Sequence, residues 1–254
     1  MKKRKAGIGI FVIILIITAV RVKSMDSHRI SGRILAENIA GPGMLRLVEQ
    51  SMQARIRKAS VAEIAVKEQK HPQAALTFDD GPDSRYTPLL LDGLKERNVR
   101  VSFFLLGEKV EQYPELVERM QKEGHLVGNH TYHHVQLNKL NETKAREEIL
   151  KTNNLIYETT GVYPLYLRPP FGAWKKNLEL CVEMLPVFWT IDTLDWKVQN
   201  TEKIVRTVQE QIEDGAIILM HDEYDTSVEA ALQVVDELKN QGYELVTVDQ
   251  LILP

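Results

Sequence analysis

Cysteine is all but missing from this chain. Of 254 residues one is cysteine, Cys181, which excludes an intramolecular disulfide and leaves no thiolate cluster to hold a structural metal. No apolar run is followed by a glycine-rich phosphate loop of the GxGxxG or Walker kind, which argues against a nucleotide site. Low-complexity tracts and internal repeats are absent, as in an ordinary globular protein. Aromatic residues are absent from Val22 to Gln73, so that segment lacks the stacking groups of a nucleic-acid module, and no nucleic-acid partner is expected. Charge is absent from Ala6 to Val20, a run made mostly of Ile, Val and Leu.

The uncharged run follows a basic cluster, Lys2-Lys3-Arg4-Lys5, and residues 1–23 read as a signal peptide or signal anchor. As a helix the run spans about 22 Å, short of the roughly 30 Å hydrocarbon core. Arg21 and Lys23 can snorkel to extend it. No Ala-x-Ala cleavage site follows, so the expectation is an uncleaved membrane anchor with the remainder outside the cytoplasm; cleavage would give a secreted protein. Charge divides the rest. Through Gln73 there are 14 Lys/Arg against 5 Asp/Glu, and from Ala74 onward 18 against 30. Residues 24–73 read as a basic, partly helical stalk suited to anionic lipid or wall polymer.

From Ala74 onward short apolar runs alternate with segments of helical period. The predicted strands are Ala74–Phe78, Val101–Leu106, Leu126–Asn129, Tyr166–Arg168, Val187–Ile191, Ala216–Met220 and Glu244–Val248. The predicted helices are Thr87–Asn98, Glu108–Glu123, Glu142–Thr160, Thr201–Asp214 and Ser227–Gln241. Alternation of β and α implies a parallel sheet with helical crossovers. About seven strands in this length suit an α/β fold, a small or incomplete (β/α) barrel, with an open doubly wound sheet as the alternative.

The polar residues fall in a pattern on that frame. Asp79 and Asp80, His130, Arg168, Asp192 and Asp195, and His221 each stand at or just beyond the C-terminal end of a predicted strand. In parallel barrels and open sheets those ends share the face where active sites are built. Asp79-Asp80-Gly81-Pro82 also suits a plain surface turn. Two adjacent carboxylates, however, repel unless a cation or proton lies between them. In His130-Thr131-Tyr132-His133-His134, a helical turn would put His130 and His134 on one face, with His133 able to substitute at i+3. Two imidazoles and one carboxylate with open positions make a catalytic type of metal site, for zinc or, by the same ligands, iron, cobalt or nickel. The second carboxylate is then free to act as general base, with Arg168 to hold it ionised. His221 can serve as an acid, with Asp195 to hold its ring. Trp196 and Leu219 would line an apolar wall, or be core.

These residues together resemble the polysaccharide deacetylases of the NodB-homology type, carbohydrate esterase family four. The resemblance covers 74–254 and rests on five ordered motifs: TFDDGP at Thr77–Pro82, HTYHH at His130–His134, RPPFG at Arg168–Gly172, DTLDW at Asp192–Trp196 and ILMH at Ile218–His221. It implies a distorted (β/α) barrel that hydrolyses N-acetyl groups on a glucosamine-containing polymer such as peptidoglycan or a chitin-like glycan. It also implies roles. Asp80, His130 and His134 would bind the divalent metal, Asp79 would be the base oriented by Arg168, and His221 the acid held by Asp195. The Phe171 backbone N–H would help stabilise the oxyanion, and Trp196 and Leu219 would receive the acetyl methyl. The family commonly has Tyr at the Phe171 position, and His133 is an addition to its pattern. An O-acetyl esterase and a catalytically silent glycan-binding protein are the competing readings. The implied partners are the glycan and, through the N-terminus, the membrane; nothing in the chain points to a protein partner.

Overall fold

The computed structural model describes residues 71–174 and 184–252. The expected anchor and nearly all of the basic stalk lie outside the described residues. Among the described residues no helix is long and apolar enough to cross a membrane. They form part of a compact unit that begins at His71.

The frame is a curled sheet of parallel strands. In chain order these are β1 (Gln73–Asp79), β2 (Ser102–Leu105), β3 (Leu126–Asn129), β4 (Tyr166–Leu167), β5 (Leu185–Pro186), β6 (Ile191–Asp192), β7 (Ala216–His221) and β8 (Glu244–Leu245). Their spatial order is β5-β4-β3-β2-β1-β7-β6, with β8 beside the start of β1. Every pairing is parallel. The path ends at β5 and β6, and no pairing among the described residues joins those two, so the barrel is incomplete, as expected.

β1 is the centre because both its faces are covered, which is why it reads as an apolar run rather than an alternation. Strand side chains alternate between faces. Ala74, Leu76 and Phe78 enter the main core with Phe103, Leu90, Leu94, Val208 and Val234. Ala75 joins Phe104, Tyr166, Val187 and Val248 in a smaller inner cluster. Thr77 and Asp79 share the parity of Ala75, so the strand directs both into the concave side.

The helices are α1 (Tyr86–Glu96), α2 (Gly107–Gln112), α3 (Pro114–Lys122), α4 (Glu142–Thr160), α5 (Asp195–Val198), α6 (Thr201–Gln211), α7 (Asp225–Asn240) and α8 (Val248–Ile252). α4 has the bounds expected of it. Asn141 caps its first turn by accepting from the Lys144 N–H, and Gly161 ends it at φ 73°, a left-handed conformation that suits glycine. α7 buries Val228, Ala231, Val235 and Leu238, spaced three or four apart.

Three expectations need correction. Glu108–Glu123 is two helices, because Pro114 cannot continue a helix from within but fits the first position of α3. Val187–Ile191 is not a strand; the chain pairs before it in β5 and at its end in β6. Glu244–Val248 pairs only over its first two residues. β8 takes the edge of β1 at Gln73 and Ala74, and β2 takes the same edge from Thr77 onward, so β8 has no further edge to follow.

Candidate active site

Asp79 and His221 face each other across the β1–β7 ladder as paired residues at the ends of their strands. Around them Asp80, His130, His134, Phe171, Trp189, Asp192, Trp196, Leu219, Glu223 and Tyr224 line one cavity of about 430 Å³. Arg168 and Asp195 sit behind its wall, fully buried. The strand ends therefore bring together every site residue expected from the sequence.

Asp79 and Asp80 part at the turn. Asp80 has φ 68°, off the strand conformation, and this turns neighbouring carboxylates to different partners. Asp79 Oδ1 accepts from Arg168 Nη1 at 2.8 Å, and the same Nη1 donates to Thr77 Oγ1 at 2.7 Å. The Arg168 guanidinium also lies 4.2 Å from the centre of the Phe104 ring. A planar, delocalised cation is the group that can stack and donate at once.

Asp80 Oδ1 lies 3.4 Å from His130 Nε2 and 3.4 Å from His134 Nε2. It is buried and accepts no hydrogen bond. A buried, unsatisfied carboxylate oxygen is costly, and here it points at two imidazole nitrogens. Ligand atoms of Asp80, His130 and His134 all lie within 4.8 Å of one another. The donor set, one carboxylate and two imidazoles, is that of a catalytic zinc-type site, and the residues fit a divalent metal.

The His130 tautomer is set from behind. Its Nδ1 lies 2.7 Å from the Arg168 carbonyl oxygen, so Nδ1–H donates there and Nε2 presents its lone pair to the site. Burial opposes charge on the Asp80 carboxylate, but the adjacent His130 ring, with the fields of His134 and His221, outweighs it. The carboxyl is held well below its usual range. For His134 burial dominates and lowers the ring.

The HTYHH segment is not the helical turn expected from its spacing. Thr131 and His134 both take left-handed φ, 68° and 54°, and the segment is an irregular loop after β3. That loop, not helical periodicity, brings His130 and His134 to ring centres 5.0 Å apart. His133 turns away and contacts Glu148 at 2.8 Å.

Opposite Asp80, His130 and His134, Asp195 holds His221 with both oxygens. Oδ1 lies 2.7 Å from His221 Nδ1, and Oδ2 accepts from the His221 backbone N–H at 2.8 Å. Burial works against charge on the ring, but the Asp195 hydrogen bond and field, with Asp79 and Asp80 adding, push it up to about 9. Its free Nε2 points inward, 3.8 Å from Asp80 Oδ2. Phe171 sits in a 3-10 turn at φ 59°, is 63% exposed, and brings its ring within 4.5 Å of the His134 ring.

Sequence reasoning missed Trp189, Glu223 and Tyr224. Trp189 hid inside an apolar run taken as a strand. Glu223 and Tyr224 stand two and three residues beyond His221 and could have been found by extending the strand-end rule that far into the loop.

The polysaccharide deacetylase family model matches residues 66–187. The chain is 40% identical to the peptidoglycan-N-acetylglucosamine deacetylase PgdA of Listeria monocytogenes over 205 residues, 80% of this chain and 44% of that protein. It thus spans less than half of that relative. A peptidoglycan-N-acetylglucosamine deacetylase of Bacillus cereus is 40% identical over 70% of this chain and 68% of its own length. Among solved structures, that of the peptidoglycan deacetylase PdaC from Bacillus subtilis superposes with TM-score 0.70 at 42% identity, over 72% of this chain and 91% of that one.

Proposed function

The chain belongs to the polysaccharide deacetylase family, and from that premise we propose that it hydrolyses N-acetyl groups on peptidoglycan or a similar N-acetylglucosamine-containing polymer. The products are acetate and a free amine on the sugar. The observation that carries this reading is the separation of the adjacent acids. Asp80 Oδ1 lies without a hydrogen-bond partner between two imidazoles, while Asp79 is bound to Arg168. The names of the similar proteins, which refer to peptidoglycan, support the substrate class.

Asp80, His130 and His134 would hold the divalent metal, with zinc the best match to the ligands and cobalt, nickel or iron compatible. When bound, the cation supplies Lewis-acid polarisation and acidifies water toward neutral pH. Asp79 takes a proton from the attacking water, and Arg168 keeps Asp79 ionised and aimed. The Phe171 N–H donates to the oxygen on which charge develops, a type of contact worth about 3–4 kcal/mol. His221, protonated, gives the Nε2 proton to the departing amine, with Asp195 holding the imidazolium. Trp196 and Leu219 receive the acetyl methyl.

Residues 74–254 form the catalytic domain in this reading, 24–73 the basic stalk and 1–23 the anchor that keeps the enzyme at the membrane, facing the wall. The test is acetate release from N-acetylglucosamine oligomers and peptidoglycan, with and without chelator, in wild type and Asp79→Asn. Activity in wild type alone, and only without chelator, is expected. Release that persists in the variant or after chelation sinks the mechanism.

A further inference from the structure

Glu148 and His133 have no part in the chemistry above, yet they meet within the loop that carries two of the three proposed ligands, Glu148 reaching it from α4. Three residues, Thr131 to His133, separate His130 from His134, and a side chain accepts each of their backbone N–H groups. Thr131 N–H donates to Asn129 Oδ1 at 2.7 Å. Tyr132 N–H and His133 N–H both donate to Glu148 Oε2, at 3.1 and 2.9 Å. The other oxygen, Glu148 Oε1, lies 2.8 Å from His133 Nδ1. Successive N–H groups converging on one anion form a nest, and the bonds are charge-assisted.

Glu148 is itself well placed to act as a fixed point. It lies at the end of the second turn of α4, its side chain only 16% exposed. One residue on, the Ile149 carbonyl accepts from Asn129 Nδ2 at 2.9 Å, and Asn153 Oδ1 accepts from the same nitrogen at 2.6 Å. From the other side, the first N–H groups of α2 hold the loop's carbonyls: Gly107 donates to Thr131 O at 3.0 Å and Glu108 to Tyr132 O at 3.3 Å. The loop needs such restraint because Thr131 and His134 occupy left-handed conformations that side-chain-bearing residues disfavour and that persist only when surroundings over-determine them.

We propose that Glu148 is a positioning residue for the metal centre: by binding the N–H groups of Tyr132 and His133 it presets the spacing of the His130 and His134 imidazoles, with His133 as its third donor. A surface ion pair between Glu148 and His133 would need one contact; the two main-chain bonds to the second oxygen are what tie Glu148 to the ligands. The inference rests on the reading of Asp80, His130 and His134 as metal ligands. Outer partners of this kind typically carry a tenfold to hundredfold effect on metal affinity.

The test is the zinc dissociation constant of the full chain, measured by competition with a chromophoric chelator, in wild type, Glu148→Ala, Glu148→Gln and His133→Ala, with thermal unfolding of each followed in parallel. Glu148→Ala is expected to weaken zinc about tenfold to a hundredfold, with kcat recovering as zinc saturates, and His133→Ala to weaken it several-fold. A purely structural role would lower the unfolding temperature and leave the zinc constant alone; a constant within twofold of wild type overturns the proposal. Should Glu148→Ala not fold, Glu148→Gln, of the same shape without the charge, decides by the same criterion. Failure of wild type to bind zinc would instead remove the metal reading on which the inference stands.

Discussion

Arg168 serves Asp79 and His130 with different parts of itself. Its guanidinium donates to Asp79 at 2.8 Å, and its carbonyl oxygen lies 2.7 Å from His130 Nδ1. One buried residue thus joins the proposed base to a proposed metal ligand.

Replacing Arg168 with Lys should separate those two services. A lysine keeps the charge and the main-chain carbonyl but cannot stack on Phe104 and donate to Thr77 and Asp79 together. The expected result is a fall in kcat of at least a hundredfold with zinc affinity nearly unchanged, read by acetate release and chelator competition. Arg168→Ala leaves the Asp79 carboxylate buried without a counter-ion and should cost about 3–5 kcal/mol in urea unfolding.

Asp195→Asn should move the alkaline limb of the kcat/KM profile. His221, the proposed acid, can donate only while protonated, and Asp195 is the chief reason its pKa is pushed up to about 9 despite burial. With an uncharged neighbour the ring loses its proton at lower pH. The limb should therefore shift down by a unit or more, as measured on N-acetylglucosamine oligomers. An unmoved limb would assign that ionisation to another group.

His125 should tie stability to pH. Burial lowers its ring to about 4, and its Nδ1 accepts the Val101 N–H at 3.1 Å, so the folded protein holds it neutral. The unfolded chain takes up a proton below about 6.5 and the folded chain only below about 4. Its contribution is thus complete above 6.5 and is lost as pH falls toward 4, on the order of 3 kcal/mol. Asp222 has the opposite sign: burial raises it to about 7, so its contribution is present at low pH and fades as pH rises toward 7. Wild type alone mixes the two. The difference in urea stability between wild type and His125→Asn, at pH 7 and pH 5, isolates the histidine and should shrink at the lower pH.

Gly81→Ala should damage the turn that directly follows the proposed base and ligand. A Cβ there would lie 2.5 Å from Asp222 Oδ1 and 2.9 Å from Oδ2, inside contact distance of a buried carboxyl. A loss of about 1–3 kcal/mol is expected from such overpacking, with weaker zinc binding as Asp80 is displaced. Thermal unfolding and chelator competition check both.

The residues at the strand ends were legible because parallel strands deliver their C-terminal ends to one face whatever the intervening helices contain. Asp79, His130, Arg168, Asp195 and His221 needed only that rule to be brought together. Glu148 was not legible. Mid-helix glutamates are usually solvated, and only the fold reveals that α4 passes beneath the HTYHH loop. That loop was itself misread, since a spacing of four suits a helical turn and nothing local announces left-handed Thr131 and His134. Pro114 did announce the break between α2 and α3, but the apolar period runs through it. The end of β8 depends on β2 claiming the same edge of β1, a competition between segments far apart in sequence.

Because His130 is oriented by a main-chain oxygen, no substitution at residue 168 can delete that contact, whereas any substitution there removes the guanidinium. Ion retention and hydrolytic power therefore have unequal mutational exposure. On the proposed roles, a descendant of this chain can fall silent through one side chain and still carry a cation, which makes a glycan-binding protein with an intact ion site a short step from an enzyme of the proposed design.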